Sequence, residues 1–435
     1  MLPEIHTAVP GPRSRSLAAR LGKVECRNTT LCTPDWPIFW ERAAGANVWD
    51  ADGNRFVDLT SAFGVATLGH GTTAGAAAAQ AGQLVHAMGD VHPALAKVEL
   101  CERLAEVTFG RWTGTPGKCL LGNSGFEAVE AALKTAVLAT GRNRVAAFSG
   151  GYHGLGYGTL LGAGIPWFRQ PFDRQLAAVT DQLPFPRAGD AASLQAFRQA
   201  IADIDGSQVA AVLVEPVQGR GGIVVPPAEF LGDLRAWCDA HGAVLIFDEI
   251  YTGFFRTGEW FACDHHGVVP DLICLGKALS GGFPISACVG RAEVMDAWPE
   301  THGEALHTST FLGNPVGCAM ALASLAEFAS QDFQSKVSLA AAEWAAGRQR
   351  LAGLPRVHET RGPGLMLGIE CRHADGGLAG DVVIDLVIRL LKAGFIALPD
   401  APEGHVLALT PPVVLTPGEI HAAVDAIGCL LAENQ

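Results

Sequence analysis

The chain has 435 residues, 49% of them hydrophobic and 17% charged, and a net charge of −13. That length exceeds what one compact core usually holds, so two domains are expected, and the composition excludes a disordered chain. The negative balance argues against nucleic acid or an anionic membrane surface as partner. Small anionic substrates stay open, because local positive charge at a site can outweigh a distant negative surface.

The first residues, MLPEIHTAVPGPRSRS, hold no apolar segment of the secretory-signal kind. No uninterrupted apolar run of about 18 residues follows, so no membrane span is expected and the cytoplasm is the expected location. The 11 cysteines are scattered and odd in number, which reads as reduced, mostly buried thiols. Cys263-Asp264-His265-His266 comes nearest to a metal cluster, but its spacing matches no familiar zinc pattern, so no metal is expected.

Along the chain, NVWDADGNRFVDL (47–59) reads as two short strands around the turn Asp52-Gly53. The Ala/Gly-rich stretch 71–83 reads as a helix start. At 120–136, LLGNSGFEAVEAALKTA, the small residues Gly122-Asn123-Ser124-Gly125 open a helix. Its free amides and positive dipole end can hold an anion such as phosphate. An ordinary Ser or Asn cap with Glu127 in the first turn explains the same residues.

Ala210–Val214 is an apolar run ending at Glu215, and 230–241 has helical spacing. Ala243–Phe247 ends at Asp248, and Leu272–Leu275 ends just before Lys277. Apolar runs alternating with helices predict an α/β fold with a mostly parallel sheet covered on both faces. Ligands of such sheets bind beyond the carboxyl ends of the strands, where Glu215, Asp248 and Lys277 fall. From about residue 335 a long helix through Arg350, strand-like Leu365–Glu370, helix Val382–Lys392, strand Val406–Leu409 and a last helix from Pro417 predict a smaller α+β domain.

A buried carboxylate at a strand end needs a cationic partner, and a protonated pyridine nitrogen is one candidate for Asp248. Strand alternation would point Ile250 the same way, onto a flat ring. The alternative is an Asp that caps the following turn. Lys277 follows a wholly apolar strand, which suggests a depressed pKa and a nucleophilic amine; the alternative is a surface lysine that snorkels.

Taken together, PGPRS (10–14), VWDADGNRFVDL (48–59), GNSGFEAVEAALK (122–134), GGYHG (150–154), EPVQG (215–219), the block 243–290, HTSTFLGNPVGCAMAL (307–322), RGPGLMLGIE (361–370) and TPPVVLT (410–416) resemble the class III aminotransferases. The resemblance implies a fold-type I pyridoxal-phosphate enzyme, with a large domain built on a mostly parallel seven-stranded sheet and a smaller α+β domain from the two chain ends. The implied divisions are an N-terminal segment 1–65, a large domain 66–330 and a C-terminal domain 331–435. Lys277 would form the Schiff base with pyridoxal 5'-phosphate and shuttle the Cα proton, while Asp248 would keep the pyridine nitrogen protonated. Ser124, Gly125 and Phe126 would meet the phosphate. Tyr152 would stack on one ring face and Ile250 on the other. Thr310 would reach the phosphate across a homodimer interface, in a dimer or a dimer of dimers. His153 reads as a packed neighbour of Tyr152, not a base.

Four positions depart from the family pattern. Arg220 stands where many members have Glu, Ala408 stands where they have Arg, Tyr251 replaces Gln beside the cofactor's phenolic oxygen, and Phe126 replaces the more usual Thr or Ser, which leaves the backbone amide but removes one phosphate hydroxyl contact. Arg220 either grips a substrate carboxylate or faces solvent on a Gly-rich loop, with Arg42 the next candidate for the carboxylate. The expected activity is transfer of an amino group between an amine or amino acid and a 2-oxo acid. A racemase, epimerase or lyase of the same family and a catalytically silent binding protein are the alternatives, since the shared core does not separate them.

Overall fold

The computed structural model describes residues 1–433. The chain forms two compact units, Thr73–Gln334 and a second one made of Met1–Thr72 with the chain from Ser335 onward.

In the second unit β1 (Trp40–Ala44), β2 (Asn47–Asp50) and β3 (Arg55–Asp58) form an antiparallel meander. Asp50 Oδ1 fastens the β2–β3 turn by accepting from the amides of Asp52 (3.0 Å) and Asn54 (2.8 Å). Gly53 supplies the left-handed residue there, with φ at 87°.

The unit Thr73–Gln334 carries β4 (Lys118–Gly122), β5 (Arg144–Phe148), β6 (Thr180–Leu183), β7 (Val209–Val214), β8 (Val244–Asp248), β9 (Leu272–Leu275) and β10 (Ser286–Gly290). They make one seven-stranded sheet in the order β4-β10-β9-β8-β7-β5-β6. Only β10 runs against its neighbours, so β4, β9, β8, β7, β5 and β6 all end at the same edge. The apolar runs VLIF and LICL are buried on both faces because helices cover both. On one face Val145, Ala211, Leu213, Ile246 and Cys274 pack with helix Gly125–Thr140. On the other, Phe148 meets Phe197 of helix Ala191–Ala202 and Phe230 of helix Phe230–His241. Each fully buried side chain of this size contributes roughly 1.5–3 kcal/mol, so this sheet is a stiff base for whatever its edge holds.

The second unit closes with β11 (Val357–Arg361), β12 (Leu367–Cys371), β13 (Phe395–Ile396), β14 (Leu398–Asp400) and β15 (Val406–Leu409). Four of these form an antiparallel sheet in the order β11-β12-β15-β14, while β13 joins β3 in parallel. Helices Gln331–Leu351, Gly380–Lys392 and Pro417–Ala432 accompany them, the last opened by a reciprocal pair between Thr416 and Glu419. The predicted strand 365–370 is β12, two residues later at its start. The strand β11 has no counterpart in the sequence reading, because its residues VHETR are mostly polar and half-buried, without an apolar run to mark them. Among the described residues no helix is long and apolar enough to cross a membrane.

Candidate functional site

Five loops leave the shared edge of the seven-stranded sheet and carry the chemistry. After β4, the chain turns through Asn123 into Ser124, the N-cap of helix Gly125–Thr140. Ser124 has extended backbone, but its hydroxyl makes no capping bond; Ser124 Oγ is buried without a hydrogen-bond partner among the described residues. Glu127 instead accepts from the Asn123 amide, and Ser286 Oγ donates to the Ser124 carbonyl (2.6 Å). The turn is thus braced by its neighbours, and a buried hydroxyl and the helix's first amides are left for an anion.

After β8, Asp248 is 4% exposed and divides its two oxygens. Oδ2 lies 2.8 Å from His153 Nδ1, and Oδ1 accepts from the Ile250 amide at 3.1 Å. Asp248 therefore braces the following turn with one oxygen and meets His153 with the other. The strand ends at Asp248, so alternation does not place Ile250. The turn places it instead. A Cβ on Gly125 would come within 3.0 Å of Ile250 Cδ1, and one on Gly276 within 3.4 Å of Ile250 Cγ2. Glycine at both positions makes room for the Ile250 side chain between them.

His153, read as a mere neighbour of Tyr152, is 2% exposed and is the group that Asp248 holds. Burial by itself would lower its pKa, but the hydrogen bond and charge of Asp248, with the charge of Glu215 added, raise it. The motif GGYHG named the residue, but no spacing in the sequence shows that β5 and β8 bring His153 and Asp248 together. Glu215, just past β7, accepts from the amides of Tyr152 (2.9 Å) and Gly219 (3.0 Å). Burial pushes its pKa up to about 7, with Asp248 adding to the rise and His153 opposing it.

Arg220 sits on a tight reversal in which Gln218 and Val224 exchange backbone hydrogen bonds. It does not face solvent freely. It is half-buried, with its guanidinium carbon 5.8 Å from the centre of the Tyr152 ring. The Tyr152 ring also meets Phe168 edge-on at 5.4 Å. The ring of Tyr251 lies against Gly219, where a Cβ would fall 2.3 Å from Tyr251 Cδ1. On Tyr251 rests Lys277, its Nζ 3.9 Å from the ring centre. Lys277 itself follows β9 with φ at 43°, a left-handed conformation unusual for a lysine and held only where the surroundings demand it.

The remaining candidates fall as follows. Phe126 packs its side chain against Gly154 and Gly156. Thr310 is exposed. Its neighbour Ser309 accepts from Asn123 Nδ2 (3.0 Å), which brings this loop to the 122–126 turn. Ala408 is buried in β15, opposite Gly368 and Leu398. Arg42 lies over the Trp49 ring at 3.6 Å. In the sequence Cys263-Asp264-His265-His266, Asp264 takes Arg111 and Trp112, and His265 bonds the Thr257 carbonyl. Among the described residues no cluster of His, Cys, Asp and Glu could hold a metal ion.

A pyridoxal phosphate fits this edge on three counts. The buried Ser124 hydroxyl awaits an acceptor, Asp248 offers a buried carboxylate suited to a protonated ring nitrogen, and Lys277 offers an amine at the end of an apolar strand.

The family model described as Aminotransferase class-III matches residues 32–431. A 2-aminoadipate transaminase of Pseudomonas putida is 34% identical over 412 residues, covering 91% of this chain and 96% of the relative. A 4-aminobutyrate aminotransferase of Mycobacterium leprae is 32% identical over 447 residues, covering 99% and 98%. The crystal structure of an amine transaminase from an uncultivated Pseudomonas species, in its pyridoxal-phosphate-bound form, matches with a TM-score of 0.84 and 28% identity, covering 94% of this chain and 98% of that one.

Proposed function

The chain belongs to the class-III aminotransferases, and on that premise we propose a division of labour among its own residues. The protein is a pyridoxal-phosphate-dependent aminotransferase that moves an amino group between an amine or amino acid and a 2-oxo acid. The relatives and solved neighbours are transaminases, which favours this activity over the racemase alternative.

Pyridoxal phosphate, when bound, supplies an aldehyde with which amines condense and a ring that draws electrons from the substrate's Cα–H bond. Ser124, with the amides of Gly125 and Phe126, holds the phosphate. Asp248 would keep a proton on the ring nitrogen, with His153 holding Asp248 in place. Tyr152 and Ile250 would confine the ring, and the Tyr251 hydroxyl would serve as a donor to its phenolic oxygen. Lys277 Nζ would be the amine that holds the cofactor's aldehyde and would carry the proton that leaves the substrate Cα. Glu215 ties the amides of Tyr152 and Gly219 together and so sets where Arg220 begins.

Arg220 grips a carboxylate, so that the preferred substrates are amino acids and oxo acids rather than simple amines. The observation that carries this is its half-buried guanidinium beside Tyr152. A planar guanidinium holds a carboxylate through two hydrogen bonds, each worth roughly 1.5–3 kcal/mol when charged. The test is the half-reaction. Arg220→Ala should raise KM for an amino acid by at least about tenfold and leave conversion of a carboxylate-free amine nearly unchanged. Arg220→Lys should recover only part of the loss. Equal KM values in wild type and Arg220→Ala would remove the assignment.

We further propose a homodimer in which Thr310 completes the partner's phosphate site. Its support is an exposed apolar face, Leu84, Val85, Met88 and Val91, beside which Phe311 packs on His86. A sedimentation run showing a fully active monomer would remove it. The cytoplasm fits eleven cysteines that are all free thiols.

A further inference from the structure

Two pairs of cysteines lie on opposite faces of one corner of the seven-stranded sheet, and their surroundings differ. Cys274 on β9 and Cys288 on β10 are direct cross-strand partners, and both are fully buried. Cys274 Sγ is directed at the Ala128 carbonyl, 3.6 Å away. Burial, with Cys288 beside it, pushes the Cys274 thiol well above its ordinary pKa. A thiol that stays protonated and sees no solvent is a poor nucleophile.

The second pair is Cys119 and Cys101. On β4, Leu120 is the residue opposite Cys288, so the adjacent Cys119 points to the other face of the sheet. There it meets helix Leu95–Ala105, its Sγ donating to the Cys101 carbonyl at 3.4 Å. Cys101 is only half-buried, so a small molecule can reach it. The neighbouring Cys119 thiol lowers the Cys101 pKa and Lys97, one helical turn away, lowers it further, against burial and Glu102. The Cys101 thiol and burial push the Cys119 thiol up. The pair thus sets a thiolate-prone sulfur beside one that stays protonated, both half-buried on the same face of the sheet, which is how an attacking and a resolving thiol are arranged. Cys318, fully buried, is a further cysteine near this pair, close enough that a charge on Cys101 helps push its thiol up.

We propose that Cys101 and Cys119 are a redox modification site, closing to a reversible intrachain disulfide with a low-molecular-weight disulfide such as oxidised glutathione as the oxidant. The Cys101 thiolate attacks one sulfur of the small disulfide, forming a mixed disulfide and releasing one small thiolate, which takes up a proton. Cys119 then loses its proton, attacks the Cys101 sulfur and expels the second small thiol. Two protein thiols are oxidised to one disulfide, and one small disulfide is reduced to two thiols. The cross-link ties helix Leu95–Ala105 to β4, the strand that runs three residues on into Gly122 and the Ser124 turn.

The test uses the holoenzyme in a background where the exposed Cys26, Cys32 and Cys429 are changed to Ser. After incubation with excess oxidised glutathione, the protein should lose two alkylatable thiols and the mass of two hydrogen atoms, and dithiothreitol should restore both. Peptide mapping should join Cys101 to Cys119. Cys274→Ser should behave like the background. Cys119→Ser should stop at the mixed disulfide, gaining one glutathione on Cys101, and Cys101→Ser should lose no thiol. Full retention of thiols in the background protein, a cross-link between any other cysteines, or an unmodified Cys101 in Cys119→Ser would each overturn the proposal.

Discussion

Asp248 and Glu249 are adjacent, both buried and both acidic, yet they serve opposite sides of the β8 edge. Asp248 faces the site and has a histidine opposite it, 2.8 Å away. Glu249 faces the scaffold, where neutral donors meet it and the nearby charge is the like one of Asp264. The Thr252 hydroxyl and the amides of Ala262 (2.9 Å) and Cys263 (2.8 Å) close on it, tying the loop 249–263 to one carboxyl group. Burial pushes the Glu249 pKa up to about 7, and these donors only partly offset that. A buried acid therefore does catalytic or structural work according to the charge of what it meets, and a change at each should separate activity from stability.

The largest effect is expected at Asp248. Asp248→Asn cannot hold a proton on a pyridine nitrogen, so kcat should fall by about three powers of ten, equivalent to about 4 kcal/mol. Its thermal midpoint should stay close to that of the wild type. A variant within tenfold of wild-type kcat would break the contrast from the site side.

Glu249→Gln should do the reverse. One acceptor oxygen becomes an NH2 group facing an amide donor, and leaving buried groups mismatched costs about 1–3 kcal/mol of stability, measured by denaturant unfolding. Activity per folded molecule should hold. The pH dependence sharpens this. With a folded pKa raised from 4.5 to about 7, Glu249 binds more protons in the native state than in the unfolded state between those values. Its contribution to stability is full below that window and is lost as pH rises through it. Glu215 is raised in the same way, so Glu249→Gln should flatten the slope and not abolish it. An unchanged slope would contradict the assignment.

A smaller effect is expected at His153. Its pKa is raised, so the charged pair with Asp248 is fully present below the ordinary histidine value and is lost as pH rises through the higher folded value. His153→Phe should lower kcat by roughly tenfold, about 1.4 kcal/mol, and should shift the alkaline limb of the pH–rate profile. His153→Gln, which keeps a hydrogen bond to Asp248, should recover part of the rate. An unmoved pH profile would leave His153 as packing alone.

Much of this site can be read along the chain. The apolar runs before Glu215, Asp248 and Lys277 mark buried strands, and a polar residue at such a strand end stands out against them. The turn 122–125 is legible too, because Ser and Gly before a helical pattern announce an N-terminus. The pairing of His153 with Asp248 is not legible, because the two lie 95 residues apart and a pairing at that separation leaves no local pattern. Ile250 was placed by strand alternation, which fails where the strand stops at Asp248.

By itself, then, the sequence determined the α/β class, the positions of the core strands and the identity of the amine and acid at their ends. These follow from hydrophobic periodicity and from the cost of burying charge, both of which act within a few residues. Only the tertiary structure decided that Asp248 divides its oxygens between His153 and the Ile250 amide, and that the half-buried Arg220 lies beside the Tyr152 ring. It also decided that the Cys119 thiol meets the Cys101 carbonyl while Cys274 and Cys288 are sealed on the other face. These pairings depend on which strands become neighbours in the order β4-β10-β9-β8-β7-β5-β6, and that order is set by packing across the whole sheet rather than by any one segment.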